Sequence, residues 1–122
     1  MIPMYNSDGN LPPGQHSATW REIVRRYGVN PHRRQLLQGL RAALDNLRAA
    51  GCRRAYLNGS FITNKTQPED YELCWEPEGV DRSKLDPLFN LTVYVMPPRS
   101  EQKRKYRGEV VLTVANPAVF DH

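Results

Sequence analysis

Tyr56-Leu57-Asn58-Gly59-Ser60, then nine residues over 61–69, then Asp70-Tyr71-Glu72-Leu73: this stretch decides how the chain is folded and where its chemistry lies. A strand over 55–57 is broken by Asn58-Gly59, a turn signal, and a second strand is expected over 71–75, closed by Pro77 and Gly79. Gly59 leaves backbone N–H groups open to close approach by a phosphate, Ser60 adds a hydroxyl, and a helix start there adds favourable dipole charge. Asp70 and Glu72, two apart on a strand, point to one face while Tyr71 and Leu73 turn to the other. Two carboxylates on one face repel unless a cation lies between them, and oxygen ligands of this kind suit Mg²⁺. A two-metal phosphoryl-transfer site places its carboxylates to bridge ions about 3.5–4 Å apart. A third carboxylate normally completes such a site, and Glu109, opening the last expected strand, is the well-placed candidate. Lys65, in the spacer, is a candidate phosphate contact. Each choice has a plainer alternative: acids on a wet strand face, Glu109 paired with Lys103, Lys105 or Arg107, and Lys65 as loop charge. His16 reads as a local hydrogen-bonding residue.

On the N-terminal side, residues 1–16 are rich in Pro, Gly and Asn and are expected to form an extended arm, leaving 17–122 as one domain. Thr19 and Glu22 have capping-box spacing. Trp20, Ile23, Val24 and Tyr27 then form one apolar face, and Gly28 supplies a stop. A second helix begins at Asn30-Pro31. It carries Leu36, Leu37, Leu40, Leu44 and Leu47 as its buried stripe and ends at Gly51. Arg33, Arg34, Arg41 and Arg48 are read as lying mostly off that stripe. On the C-terminal side, 91–96 alternates as a third strand stopped by Pro97-Pro98, 99–106 is a short basic helix, and 109–114 is a last strand. The pattern gives an α+β domain, a small mixed sheet with helices packed on it.

The length, 122 residues, suits one core. No run is long enough to cross a bilayer, and the start lacks the basic and apolar regions of a signal peptide. Cys52 and Cys74 have neither metal-ligand spacing nor the density of a secreted scaffold, so both are expected as free thiols in a cytoplasmic protein. Residues 1–60 hold nine Arg against Asp8, Glu22 and Asp45, whereas residues 66–81 hold six acids and no Lys or Arg. That division suits a cation-holding acidic cluster beside a basic flank facing a polyanion, or two differently charged solvated faces. A small RNA-binding domain ranks last, because the aromatic ribonucleoprotein motifs and the Gly-x-x-Gly clamp are missing.

Gly59-Ser60, a short spacer, the acid-apolar-acid-apolar run from Asp70 and the strand acid Glu109 together resemble the nucleotidyltransferase superfamily, the fold of DNA polymerase beta. The chain is similar in particular to a group of small uncharacterised bacterial members. The shared features are an arm like Ile2-Pro3, Gly9, Leu11-Pro12-Pro13-Gly14, His16 and Trp20, and a core like Gly59-Ser60-Phe61-Ile62-Thr63, Lys65, Pro68 and Asp70. The resemblance implies a minimal nucleotidyltransferase-like fold and transfer of a nucleotidyl group from a nucleoside triphosphate to a protein or RNA acceptor. It implies Mg²⁺ or Mn²⁺ on Asp70 and Glu72, triphosphate at Gly59 and Ser60, and Glu109 activating the attacking hydroxyl. It also brings the setting of a toxin–antitoxin or defence pair, and with it a second reading as a catalytically silent, antitoxin-like partner-binding protein. The chain departs from the pattern in having Glu72 where Asp is more usual, and Gly108 where an apolar residue usually precedes the third acid. It also ends soon after its last expected strand, as a short or C-terminally truncated form would.

Overall fold

A computed structural model describes residues 1–89 and 98–112. Helix α1 spans Trp20–Tyr27 and opens on a complete capping box between Thr19 and Glu22, worth about 1 kcal/mol in comparable helices. Helix α2 spans Pro31–Ala49, with the Asn30 side chain accepting from the Arg33 N–H and Pro31 in the first turn. Strands β1 (Ala55–Asn58) and β2 (Tyr71–Trp75) follow, separated by a single 3₁₀ turn over Ser60–Ile62. After a second 3₁₀ turn at Pro87–Phe89, helix α3 (Pro98–Tyr106) leads directly into strand β3 (Gly108–Leu112). The protein is thus α+β. The strand expected over 91–96 lies outside the described residues, as do the last two positions of the strand expected over 109–114.

The sheet has the order β1-β2-β3. β1 runs antiparallel to β2, with Asn58 opposite Glu72, and β2 runs parallel to β3, with Glu72 opposite Glu109. Alternation along β2 sends Tyr71, Leu73 and Trp75 into the core, where they pack with Leu36, Leu37, Leu40, Leu47, Phe61, Phe89 and Val110. Each such apolar side chain contributes about 1.5–3 kcal/mol by leaving water. Asn58, Glu72 and Glu109 form a row across the other face. Gly108, where an apolar residue was expected, is explained by its register partner: a Cβ there would meet the Tyr71 ring at 2.5 Å.

A side chain bonds the backbone of β3 at Val110. Gln102, 0% exposed, accepts from the Val110 N–H at 3.0 Å and donates to the Val110 carbonyl at 2.6 Å. The amide thereby satisfies both backbone groups of Val110. The same Nε2 donates to the Leu88 carbonyl, tying α3 to the turn before it.

The arm holds to the body through backbone groups. Arg26 donates to the Ile2 and Pro3 carbonyls, and the Asn64 N–H donates to the Gly9 carbonyl. His16 contacts the Pro12 carbonyl at 2.9 Å, a local bond as expected. Both cysteines are free. Among the described residues no helix is long and apolar enough to cross a membrane.

Candidate functional site

The sequence treats Arg33 as surface charge, but it is 2% exposed and the organising residue of the site loop. Its guanidinium uses all five donors on backbone carbonyls: Tyr27, Phe61, Thr63 and Lys65, the last twice. It also lies over the Phe61 ring, 5.2 Å from its centroid. Two neighbours on the first turn of α2 extend the pattern, Asn30 donating to the Thr66 carbonyl and His32 to that of Pro68. Five carbonyls of the spacer between the Gly-Ser turn and the acids are therefore fixed to one helix turn. The signal was present in the sequence, since position 33 lies four and seven residues before Leu37 and Leu40 and so falls on their stripe.

Gly59 follows β1 with φ 81°, a conformation glycine adopts without the penalty of a side chain. What approaches it is the Glu72 carboxylate: a Cβ on Gly59 would meet Glu72 Oε2 at 2.0 Å. Ser60 starts the 3₁₀ turn, and its carbonyl accepts from the Thr63 N–H and hydroxyl. The helix start expected here is one 3₁₀ turn, with only a single turn's dipole. Lys65 is exposed on the spacer; its carbonyl is held by Arg33, while its ammonium makes no ion pair among the described residues.

Asp70 sits immediately before β2, and Glu109 is the second residue of β3. Between them stands Lys103 of α3, with Nζ 3.1 Å from Asp70 Oδ2 and 3.3 Å from Glu109 Oε1. One residue, Arg107, joins α3 to β3 in the left-handed conformation at φ 63°. The tight reversal returns Lys103 alongside Glu109, which is 3% exposed. A carboxylate this buried needs charge-assisted partners, and Lys103 is one. The hydrogen bond to Asp70 is the main cause holding the Lys103 pKa above its usual value. The pairing of Glu109 with Lys103 is thus present together with the convergence of Asp70 and Glu109. Glu72, opposite Glu109 in the register, directs its carboxylate to Gly59.

The rest of the acidic run disperses. Glu76 accepts from the Tyr56 hydroxyl, Glu78 pairs with Arg53, and Asp81 accepts from the Ser83 N–H and hydroxyl. The basic flank is likewise partly used within the fold: Arg26 holds the arm, Arg33 the loop, and Arg41 pairs with Asp45 and lies over Trp20.

The donor chemistry of Asp70, Glu72 and Glu109, all carboxylate oxygen, fits a hard divalent cation. Asp70 and Glu109 already converge on one cationic group. In the arrangement described, no three His, Cys, Asp or Glu side chains among the described residues are grouped to hold a metal ion. A shared ion would require Lys103 to withdraw and Glu72 to turn from Gly59.

Over residues 3–119 the chain matches a family described as "Family of unknown function (DUF6932)", and it belongs to that family. No curated protein and no solved structure matches it.

Proposed function

We propose that this family member is a nucleotidyltransferase-type protein that moves a nucleotidyl group from a nucleoside triphosphate to a protein or RNA acceptor, within a toxin–antitoxin or defence pair. The observation that carries the reading is convergence. Gly59 lies beneath the Glu72 carboxylate, Glu72 is in register with Glu109, and Glu109 shares a cation with Asp70. Residues at the end of β1, at the start of β2 and in β3 thus lie near one another on a small sheet, which supports the superfamily resemblance.

In this reading Asp70 and Glu72 hold Mg²⁺ or Mn²⁺, which when bound supplies Lewis-acid charge to the phosphate oxygens. Gly59 and Ser60 contact the triphosphate through backbone N–H groups and the hydroxyl, with Lys65 as a counter-charge. The acceptor hydroxyl oxygen attacks the α-phosphorus, pyrophosphate leaves, and Glu109 takes the hydroxyl proton. Glu109 must therefore come within about 2.6–3.2 Å of that hydroxyl, or reach it through one water.

A specific observation also favours the second reading, a catalytically silent partner-binding protein. Lys103 neutralises two of the three acids without any ligand. Labelled nucleoside triphosphates incubated with the protein and cell extract separate the two. The enzyme reading expects label on a protein or RNA band, lost in Asp70→Asn and in Glu109→Gln, with triphosphate binding retained in Glu109→Gln. No transfer by wild type or by Glu72→Asp, which restores the commoner ligand, would hand the site to the partner-binding reading.

A further inference from the structure

Two places that the proposed chemistry needs open are filled by the chain itself. Asp70, a ligand of the proposed ion, is held together with Glu109 by the Lys103 ammonium, and the close approach at Gly59 holds the Glu72 carboxylate. Lys103 is not a freely swinging surface lysine. Its helix is fixed on one side by Gln102, whose amide is bonded to Val110 and Leu88, and on the other by Lys105 and Tyr106, both donating to Asp86. With neighbours on both sides anchored and Arg107 reversing the chain, Lys103 is delivered to the acids by the fold. Its side chain is still 34% exposed, so the ammonium can leave for water while α3 stays in place.

We infer that Lys103 is a built-in cation that engages Asp70, a ligand of the proposed divalent ion, and must be displaced before metal binds, making it an autoinhibitory contact of the site. The inference rests on the proposed metal-dependent reading, and deepens it by naming what keeps the site closed. The physical reason is competition: an ammonium and a divalent ion cannot both sit within about 3 Å of the Asp70 carboxylate, because like charges at that distance repel strongly. Without Lys103, Asp70 loses a neutralising partner and binds an external cation more tightly.

The test uses the full chain and Mn²⁺ or Mg²⁺ alone, read by thermal unfolding and by Mn²⁺ titration, with no activity required. Lys103→Gln is expected to melt below wild type in chelator and to regain wild-type stability in millimolar Mn²⁺, because an ion bound only by the native state shifts unfolding by mass action. Its apparent Mn²⁺ affinity should exceed that of wild type by on the order of tenfold, within the usual range of site coupling. Lys103→Arg, which keeps a charge there, should stay near wild type, and Asp70→Asn added to Lys103→Gln should abolish the response. If wild type and Lys103→Gln respond to Mn²⁺ over the same concentrations, the inference falls while a divalent site stands. If neither responds, both the inference and the metal-dependent reading fall. A Lys103→Gln protein that stays unfolded at every Mn²⁺ concentration also overturns the inference, since the metal then fails to substitute for the ammonium.

Discussion

Two cationic groups serve the same end of the sheet in opposite ways. Arg33 is buried and spends every donor on neutral carbonyls of the chain, so its bonds are geometric and tolerate no substitute. Lys103 is partly exposed, and its bridge to Asp70 and Glu109 is a contact between charges that another cation can replace. The first builds the loop that carries Gly59 to Asp70. The second only balances charge on what that loop presents. Scaffold and site are thus distinguished by the kind of acceptor each cation meets rather than by the cation itself.

The largest expected effect follows on the scaffold side. Arg33→Met leaves the carbonyls of Phe61 and Lys65 without their donor, each costing about 1–3 kcal/mol where buried, and that of Thr63 with only the Tyr5 hydroxyl. A loss of about 3 kcal/mol or more in urea unfolding is expected, and Arg33→Lys should recover little, because an ammonium cannot reproduce the guanidinium fork. A loss below about 1 kcal/mol would show that the loop holds without its clamp. Next in size is Gly108→Ala, whose methyl would enter the Tyr71 ring; overpacking of this kind costs about 1–3 kcal/mol, checked by the same unfolding curve.

A pH test addresses the anchoring of α3. Burial opposes ionisation of Asp86, but hydrogen bonds from Lys105, Tyr106 and the Leu88 N–H outweigh it and hold the Asp86 pKa below its usual value. The stabilisation from Asp86 is therefore complete above its unfolded value and is lost as pH falls through the lower folded one. Asp86→Asn should remove that part of the acid limb of the stability profile and leave the part around neutral pH parallel to wild type. The smallest effect is expected at Arg107, where a non-glycine residue holds φ 63°. Arg107→Gly should stabilise by up to about 1 kcal/mol, and a loss instead would mean that the Arg107 side chain contributes more than its backbone strain costs.

Much of the fold was legible because its signals are local. The Thr19–Glu22 box, Asn30-Pro31 and the alternation of Tyr71, Leu73 and Trp75 each specify an element within a few residues. Arg33 was misread because its charge outweighed its position on the Leu stripe, and the carbonyls that satisfy it lie about 30 residues away. Glu109 was singled out by strand pattern, but its cationic partner could not be chosen among Lys103, Lys105 and Arg107 without knowing that a single left-handed residue folds α3 back. Lys105 goes instead to Asp86. The dispersal of Glu76, Glu78 and Asp81 was equally hidden, since a run of charge in sequence says nothing about which face each member occupies.

Calorimetric titration of the 122-residue chain with each of the four nucleoside triphosphates, with and without Mg²⁺, tests the proposed site most directly. The site described here predicts stoichiometric binding of at least one triphosphate that depends on the divalent ion, is lost in Asp70→Asn and is tightened in Lys103→Gln. Absence of binding by both wild type and Lys103→Gln, or binding that survives Asp70→Asn undiminished, would contradict it.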